Sequence, residues 1–513
     1  MKNFSIKAEH IFFALILILY LLYSSKLGLY LDDANFVFPS VSGNIAPYIQ
    51  SQIQVFGVAR ILSHFYLQPL FFLYTLNSAV AHAIPVILYV YSMFLLHKIL
   101  IKQKMDPKIA FTLVAVVSAI PFSVEIIGWL SASHGMLVIC LFLVQIYLIE
   151  TYAKLIKTLY LVVFLQILSV LLYETTILTP IALTYLYLVR SGKFINNFTR
   201  NLLKYFAYLL ILIFPSFAYV ILRKLFAPPA SYDKLSGLAP MDLFSNLFVA
   251  TDHTFKFLQY NHFNSFVQEI WILGLNSVTN NFLVLGIFVA ILGIFFHLII
   301  LRRDSEATSV NNPNLNSTLV FWTFSLFVLF GAISFQKFYF SFRLLFLPAL
   351  IISIILGFFL NHLKKFAIML WLILYFILLT LQIGLFEGYR LQYAYDQAII
   401  KELRIKTENL GFNSQNRVNV LIKDFPSSQV VSEVYGDYLY SIFRTSWSAE
   451  AFIDLNSASL KNFALENKDE NLFISKIPEA EFYKLSPLAI FSYNNNENCL
   501  VSDCLEIIEY ESK

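Results

Sequence analysis

Charge is what this sequence has least of. Asp, Glu, Lys and Arg make up only 13% of its 513 residues, against roughly 25% in an ordinary soluble domain. A chain this poor in charge cannot clothe a globular surface, which excludes a soluble globular enzyme. Disorder and nucleic-acid binding go with it, because both need charge density. The net charge of +4 is too small to argue a polyanionic partner. Cysteine is scarce as well, and three residues do not make a disulfide scaffold. Cys140 lies in an apolar stretch and reads as packing. Cys499 and Cys504 are spaced to permit a disulfide if that end faces an oxidising compartment. No Walker-type phosphate loop occurs and the basic loops are short, which argues against an ATP-driven pump in one chain. The tail has no internal repeat, so no solenoid is appended.

Apolar residues fill the gap. They reach 58%, with 52 Phe and 30 Tyr, and mean hydropathy is +0.69. Spans need about 20 largely apolar residues, and the chain reads as about eleven of them. They fall near 10–29, 69–97, 109–123, 134–150, 158–173, 175–189, 204–223, 281–301, 318–335, 343–360 and 366–385. Residues 158–189 read equally as one hairpin broken at Tyr173 and Glu174. Lys and Arg concentrate in the short loops on the side of the N-terminus, as at Lys98, Lys102, Lys104, Arg190, Arg302 and Arg303. That bias puts the N-terminus inside. The first span lacks a small-x-small cleavage site and reads as a retained anchor.

The fold expected is therefore mainly α: a polytopic transmembrane helix bundle over 1–387, with a small soluble α/β or α+β domain over 388–513. Short apolar runs at Val418 to Ile422 and Leu488 to Tyr493 predict strands in that domain. Outward-facing loops are expected at about 30–68 and 224–280. The short basic inner loops fit a bacterial inner membrane with a periplasmic tail, and an endoplasmic reticulum membrane would have the same topology.

Chemistry-bearing residues gather at the outer ends of these spans. Asp32 and Asp33 follow the first span directly, and two adjacent carboxylates there need solvent, partners or a cation. They read either as a charged stop at a helix exit or as a base with an electrostatic partner. Ile45, Ile49, Ile53 and Phe56 recur at helical spacing, which predicts an interfacial amphipathic helix. Arg60 and His64 are four apart and share a helical face. Either could meet an anionic headgroup, with snorkelling the plain alternative. Asn77 and His82 are polar groups inside an apolar run, where interhelical hydrogen bonding is the simpler role. Pro121 ends a helix, and Glu125 and His134 then flank a short turn beside Trp129. Glu174 is isolated in LLYETTILTP, either solvent-exposed at a tight turn or functional. Lys337 and Arg343 stand among aromatics, suited to phosphate or to ordinary lipid headgroups.

In this order the motifs resemble the GT-C superfamily of membrane glycosyltransferases, and within it the protein O-mannosyltransferase-like enzymes. The residues carrying the resemblance are the Asp32–Asp33 pair, then Gly57, Arg60 and Leu62, then Pro69 and Leu70, and Asn77 with His82. Pro121, Glu125 and Trp129 follow, then Glu174, Thr175 and Pro180, and more weakly Arg343 with Pro348. The motifs are ordered over roughly residues 1–190. His134 stands where relatives often carry Arg, and Tyr173 where many carry Lys, which leaves the sugar and the acceptor open.

The resemblance implies an inverting transferase that takes a sugar from a polyprenyl-phosphate donor on the outer face. The acceptor is an envelope glycan, lipid or protein hydroxyl. Asp32 or Asp33 would be the base, with Asp33 slightly preferred, and Glu174 would complete the catalytic set. Arg60, His64, His82, Glu125, His134, Lys337 and Arg343 would bind substrate or its phosphate. No organic cofactor is implied. A divalent cation, Mg or Mn, could sit on Asp32, Asp33 and Glu174. A transporter or flippase of a lipid-linked precursor is the main alternative, and it predicts midplane charges and repeat symmetry. A non-enzymatic assembly factor would not need the carboxylates to converge.

Overall fold

The computed structural model describes residues 8–30, 33, 36–37, 46, 49–50, 61–192, 198–225, 261–301, 313–334, 342–360, 366–431, 441–444, 446–456, 459–467, 472–475, 477–493 and 505–511. Most of these are helical. The first stretch gives α1 (Ala8–Ser24), α2 (Ile61–Leu76), α3 (Ser78–Lys102), α4 (Pro107–Ser118), α5 (Ser123–Gly128), α6 (His134–Tyr152), α7 (Ile156–Leu172) and α8 (Thr179–Arg190). The second gives α9 (Phe198–Leu225), α10 (Asn261–Thr279), α11 (Phe282–Leu301), α12 (Pro313–Ser334), α13 (Phe342–Leu360) and α14 (Phe366–Asn409).

Polar residues set several of the breaks. Asp106 caps α4, accepting from Lys108 N at 2.8 Å, and Pro107 occupies the first turn where no amide hydrogen is needed. Asn77 does the same for α3, accepting from Ala79 N at 3.0 Å and Val80 N at 3.3 Å. The expected span 69–97 is thus two helices, and Asn77 is a cap, not an interhelical bridge. Pro121 does follow the end of α4, and the break at Tyr173 and Glu174 is present as a 3-10 turn, Glu174–Thr176.

Among the described residues, four helices are long and apolar enough to cross a membrane. They are Ser78–Lys102, Leu130–Tyr152, Asn201–Leu222 and Leu370–Asn409. The pair Ser265–Thr279 and Phe282–Leu298, bent by 104°, makes a fifth if counted as one span. The expected eleven spans are not confirmed. The apolar helices α1, α2, α4 and α7 offer only 12–17 residues. At 1.5 Å per residue these reach about 26 Å at most, short of a hydrocarbon core of about 30 Å.

Two features position the rest. The first is α14, whose 44 residues extend about 66 Å. Its early turns bury Tyr375, Leu379, Ile383 and Phe386 in the bundle core. Its later turns bury Ile399, Ile400 and Leu403 in a second core, with Val420, Phe463 and Phe491 of the sheet and Leu67 and Phe71 of α2. The helix passes unbroken through 387 and 388. The second is the α10–α14 contact. A Cβ on Gly274 would lie 2.1 Å from the Thr380 carbonyl oxygen, and one on Gly384 would lie 2.0 Å from that of Ile270. The two glycines therefore let the backbones touch. Helix α10 falls inside the segment expected to be an outer loop.

The C-terminal unit is a five-stranded sheet in the order β3-β2-β1-β4-β5. Its strands are β1 (Val418–Phe425), β2 (Leu460–Asn467), β3 (Leu472–Ile474), β4 (Leu488–Tyr493) and β5 (Leu505–Glu511). β1 runs parallel to β2 and β4, and the two edge pairs are antiparallel. The central strand is an apolar run because both its faces are covered. Both predicted strands, in β1 and β4, are present.

Where α3, α6, α8 and α12 meet, Glu150 accepts from Arg190 Nε at 2.5 Å and from Gln103 Nε2 at 2.8 Å. Arg190 also donates to Thr318 Oγ1 at 2.9 Å, and Trp322 Nε1 donates to Gln103 Oε1 at 2.9 Å.

Candidate functional site

The bundle's other end is where α1 stops and α3 and α6 begin. Asp33 sits there, three residues after Tyr30, and is fully buried. Its Oδ2 accepts from Tyr30 N at 3.0 Å, and its Oδ1 accepts from Ser131 N at 2.8 Å. One carboxylate thus ties the chain leaving α1 to the 3-10 turn Leu130–Ala132 ahead of α6.

The same residue, Ser131, meets His134 from its other side. Its carbonyl oxygen lies 2.8 Å from His134 Nδ1. The His134 ring stands edge-on to Tyr173 at 4.9 Å, directly before the turn that Glu174 opens. Ser133 Oγ donates to Tyr66 OH at 3.3 Å. Asp33 and His134 therefore meet on the backbone of Ser131, and the Tyr173 ring packs against His134 just ahead of the Glu174 turn.

Aromatics from α14 close the arrangement. Tyr30 lies 4.6 Å from Tyr389 and 5.5 Å from Trp129, both edge-on. The Tyr393 ring covers Gly28, where a Cβ would meet it at 2.0 Å. Tyr393 OH is 3.3 Å from Tyr74 OH, and Tyr74 stands edge-on to His82 at 6.0 Å. His82 is fully buried. His64, also buried, stacks near Phe36 at 6.3 Å. Glu125 is fully buried in α5, so its carboxyl lies inside the protein and not at an aqueous rim. Its carbonyl oxygen accepts from Trp129 N at 3.1 Å, which shapes the turn toward Ser131.

Arg343 lies in the first turn of α13, one turn before Phe346, which is 5.8 Å from Tyr89. Asp32, Arg60, Lys337, Cys499, Cys504 and most of the proposed amphipathic helix lie outside the described residues, as do the side chains of Glu174 and Arg343. No three His, Cys, Asp or Glu gather to hold a metal among the described residues. Asp33 has each oxygen engaged by an amide, and the other two carboxylates of the expected cation site, Asp32 and the Glu174 side chain, lie outside the described residues.

Sequence reasoning missed Tyr30, Ser131, Tyr389 and Tyr393. Ser131 acts through its backbone, which carries no residue-type signal. Tyr389 and Tyr393 sit four apart on α14, a helical spacing that marks one face but not what it faces.

The chain matches no protein-family model, and no curated protein matches it.

Proposed function

We propose that this chain is an integral membrane glycosyltransferase that moves a sugar from a polyprenyl-phosphate donor to an acceptor hydroxyl. In this reading the bundle spans the membrane about eleven times, with the shorter helices packed inside it. The Asp33 end and the sheet domain face outward. The observation that carries the reading is Asp33, a buried carboxylate in the segment that follows the first apolar helix, with His134 on the far side of the same backbone turn.

Asp33 has both oxygens occupied, which suits a positioning role. The base is then its neighbour Asp32. It takes the acceptor proton, the acceptor oxygen bonds to the anomeric carbon, and the bond from that carbon to the lipid phosphate breaks. The phosphate leaves with the electron pair, and the configuration inverts. Arg343, Arg60 and Lys337 are the cations to hold it.

The test is transfer of label in proteoliposomes from a panel of polyprenyl-phosphate hexoses and pentoses to an envelope extract. Asp32→Asn should lose at least about a hundredfold in rate, the scale of a lost general base. Asp33→Asn should give a smaller loss, together with a lower unfolding midpoint. Equal transfer by wild type and both variants overturns the assignment.

One observation favours a second reading, the broken α10–α11 pair, since discontinuous helices are common in transporters. A flippase would move labelled lipid across the bilayer without forming product.

A further inference from the structure

A cleft of about 380 Å³ opens beside the α1 exit, bounded by α1, the α10–α11 bend and α14. Three apolar segments turn polar at this one level. α1 gives way to Lys26, α14 gives way to Glu387 after Phe386, and the bend carries Asn280 and Asn281. Such a level is where a membrane protein meets lipid headgroups.

The cleft's charges do not cancel. Glu387 is matched by Arg390, whose Nε and Nη2 donate to its two oxygens at 3.0 and 2.5 Å. Lys26 is exposed and makes no ion pair among the described residues. The wall therefore carries one net positive charge. Around it stand neutral groups, the amide of Asn276 and the hydroxyls of Tyr23 and Ser277, which bond each other at 2.7 Å. Leu283, which lines the cleft, is 60% exposed and its chain neighbour Phe282 90%, an arrangement that suits hydrocarbon better than water.

We propose that this cleft binds the headgroup of an anionic lipid. Lys26 and Arg390 hold the phosphodiester monoanion, Asn276 and its neighbours take hydroxyls beyond the phosphate, and the acyl chains lie along Phe282 and Leu283. One net positive charge matches one phosphodiester. A zwitterionic headgroup would bring a second cation against Lys26. The inference does not depend on the transferase reading.

The test is equilibrium binding to the purified full chain in dodecyl maltoside, followed by titration calorimetry. The probes are dihexanoyl phosphatidylglycerol, dihexanoyl phosphatidylcholine and inorganic phosphate. The glycerol lipid should saturate one site, and the choline lipid should bind at least about tenfold more weakly. Lys26→Gln should weaken the glycerol lipid about tenfold, and Arg390→Gln more, because Glu387 then faces the phosphate unmatched. Lys484→Gln, on the exposed surface of the sheet domain, should change nothing. Because Lys26 is exposed, its variant leaves the fold intact, which a thermal melt checks. The proposal is overturned if Lys26→Gln and Arg390→Gln bind like wild type, or if both lipids bind alike. Inorganic phosphate binding as tightly as the glycerol lipid would assign the cleft to a free anion and overturn the lipid.

Discussion

The Glu150–Arg190 and Glu387–Arg390 pairs use the same two side-chain types at opposite ends of the bundle. The first joins α6 to α8, with Gln103 at the C-cap of α3 and Thr318 of α12 taking further bonds. Its side chains are 2% and 13% exposed. The second lies within α14, three residues apart, with side chains 18% and 34% exposed, and it borders a cleft. A pair shared by four helices has few donors to spare and cannot open without separating them. A pair on one helix can turn outward at little cost. An ion pair is therefore read as scaffold or as site from what else it holds, not from its own length.

Breaking the first pair should have the largest effect. Glu150→Ala strands a buried guanidinium, which costs about 3–5 kcal/mol. Little folded protein should be recovered in detergent, with a sharply lowered unfolding midpoint. An undiminished midpoint would remove the contrast between the two ends.

A third carboxylate sharpens it. Asp396 is buried where α14 meets the sheet domain. Ser441 Oγ donates to it at 2.6 Å, Ile442 N at 3.0 Å and Gln392 Nε2 at 3.1 Å. These partners are neutral, and burial pushes its carboxyl up to about 7. The folded protein then binds the proton more tightly than the unfolded chain. This group's contribution is fully present below about pH 4, is lost as pH rises to about 7, and stays flat above. Unfolding midpoints across that range should fall with pH, and Asp396→Asn should flatten the fall. An unchanged slope in the variant would move the effect elsewhere.

The smallest effect belongs to the local pair. Glu387→Gln should shift stability by less than about 1 kcal/mol, since a partly exposed pair within one helix gains little. A loss as large as that of Glu150→Ala would make the two pairs equivalent.

What the sequence revealed followed from local pattern. The apolar runs at 418–422 and 488–493 are strands, and Pro121 follows a helix end. What it hid lay in breaks and meetings. Asn77 sits in a run apolar on both sides, so hydropathy alone joins α2 to α3, whereas its side chain caps a new helix. Helix α10 carries Phe266, Ile270, Gly274 and Val278 at four-residue spacing, but Asn, Gln and Glu between them dilute the run. Of the expected site, Asp33 and His134 come together, but through the backbone of Ser131, which no residue type announces. The cleft unites residues 26, 277 and 390, a juxtaposition that exists only after folding.

The unbroken passage of α14 from the bundle to the sheet makes the two parts geared. A helix resists twisting about its own axis, so a rotation imposed on the sheet must appear as a rotation of the faces carrying Glu387, Tyr389 and Tyr393. Inserting a single residue between 397 and 403 would offset the sheet's docking by about 100°. Whatever grips the domain from outside thus holds a crank whose other end lies under Gly28 and against Gly274.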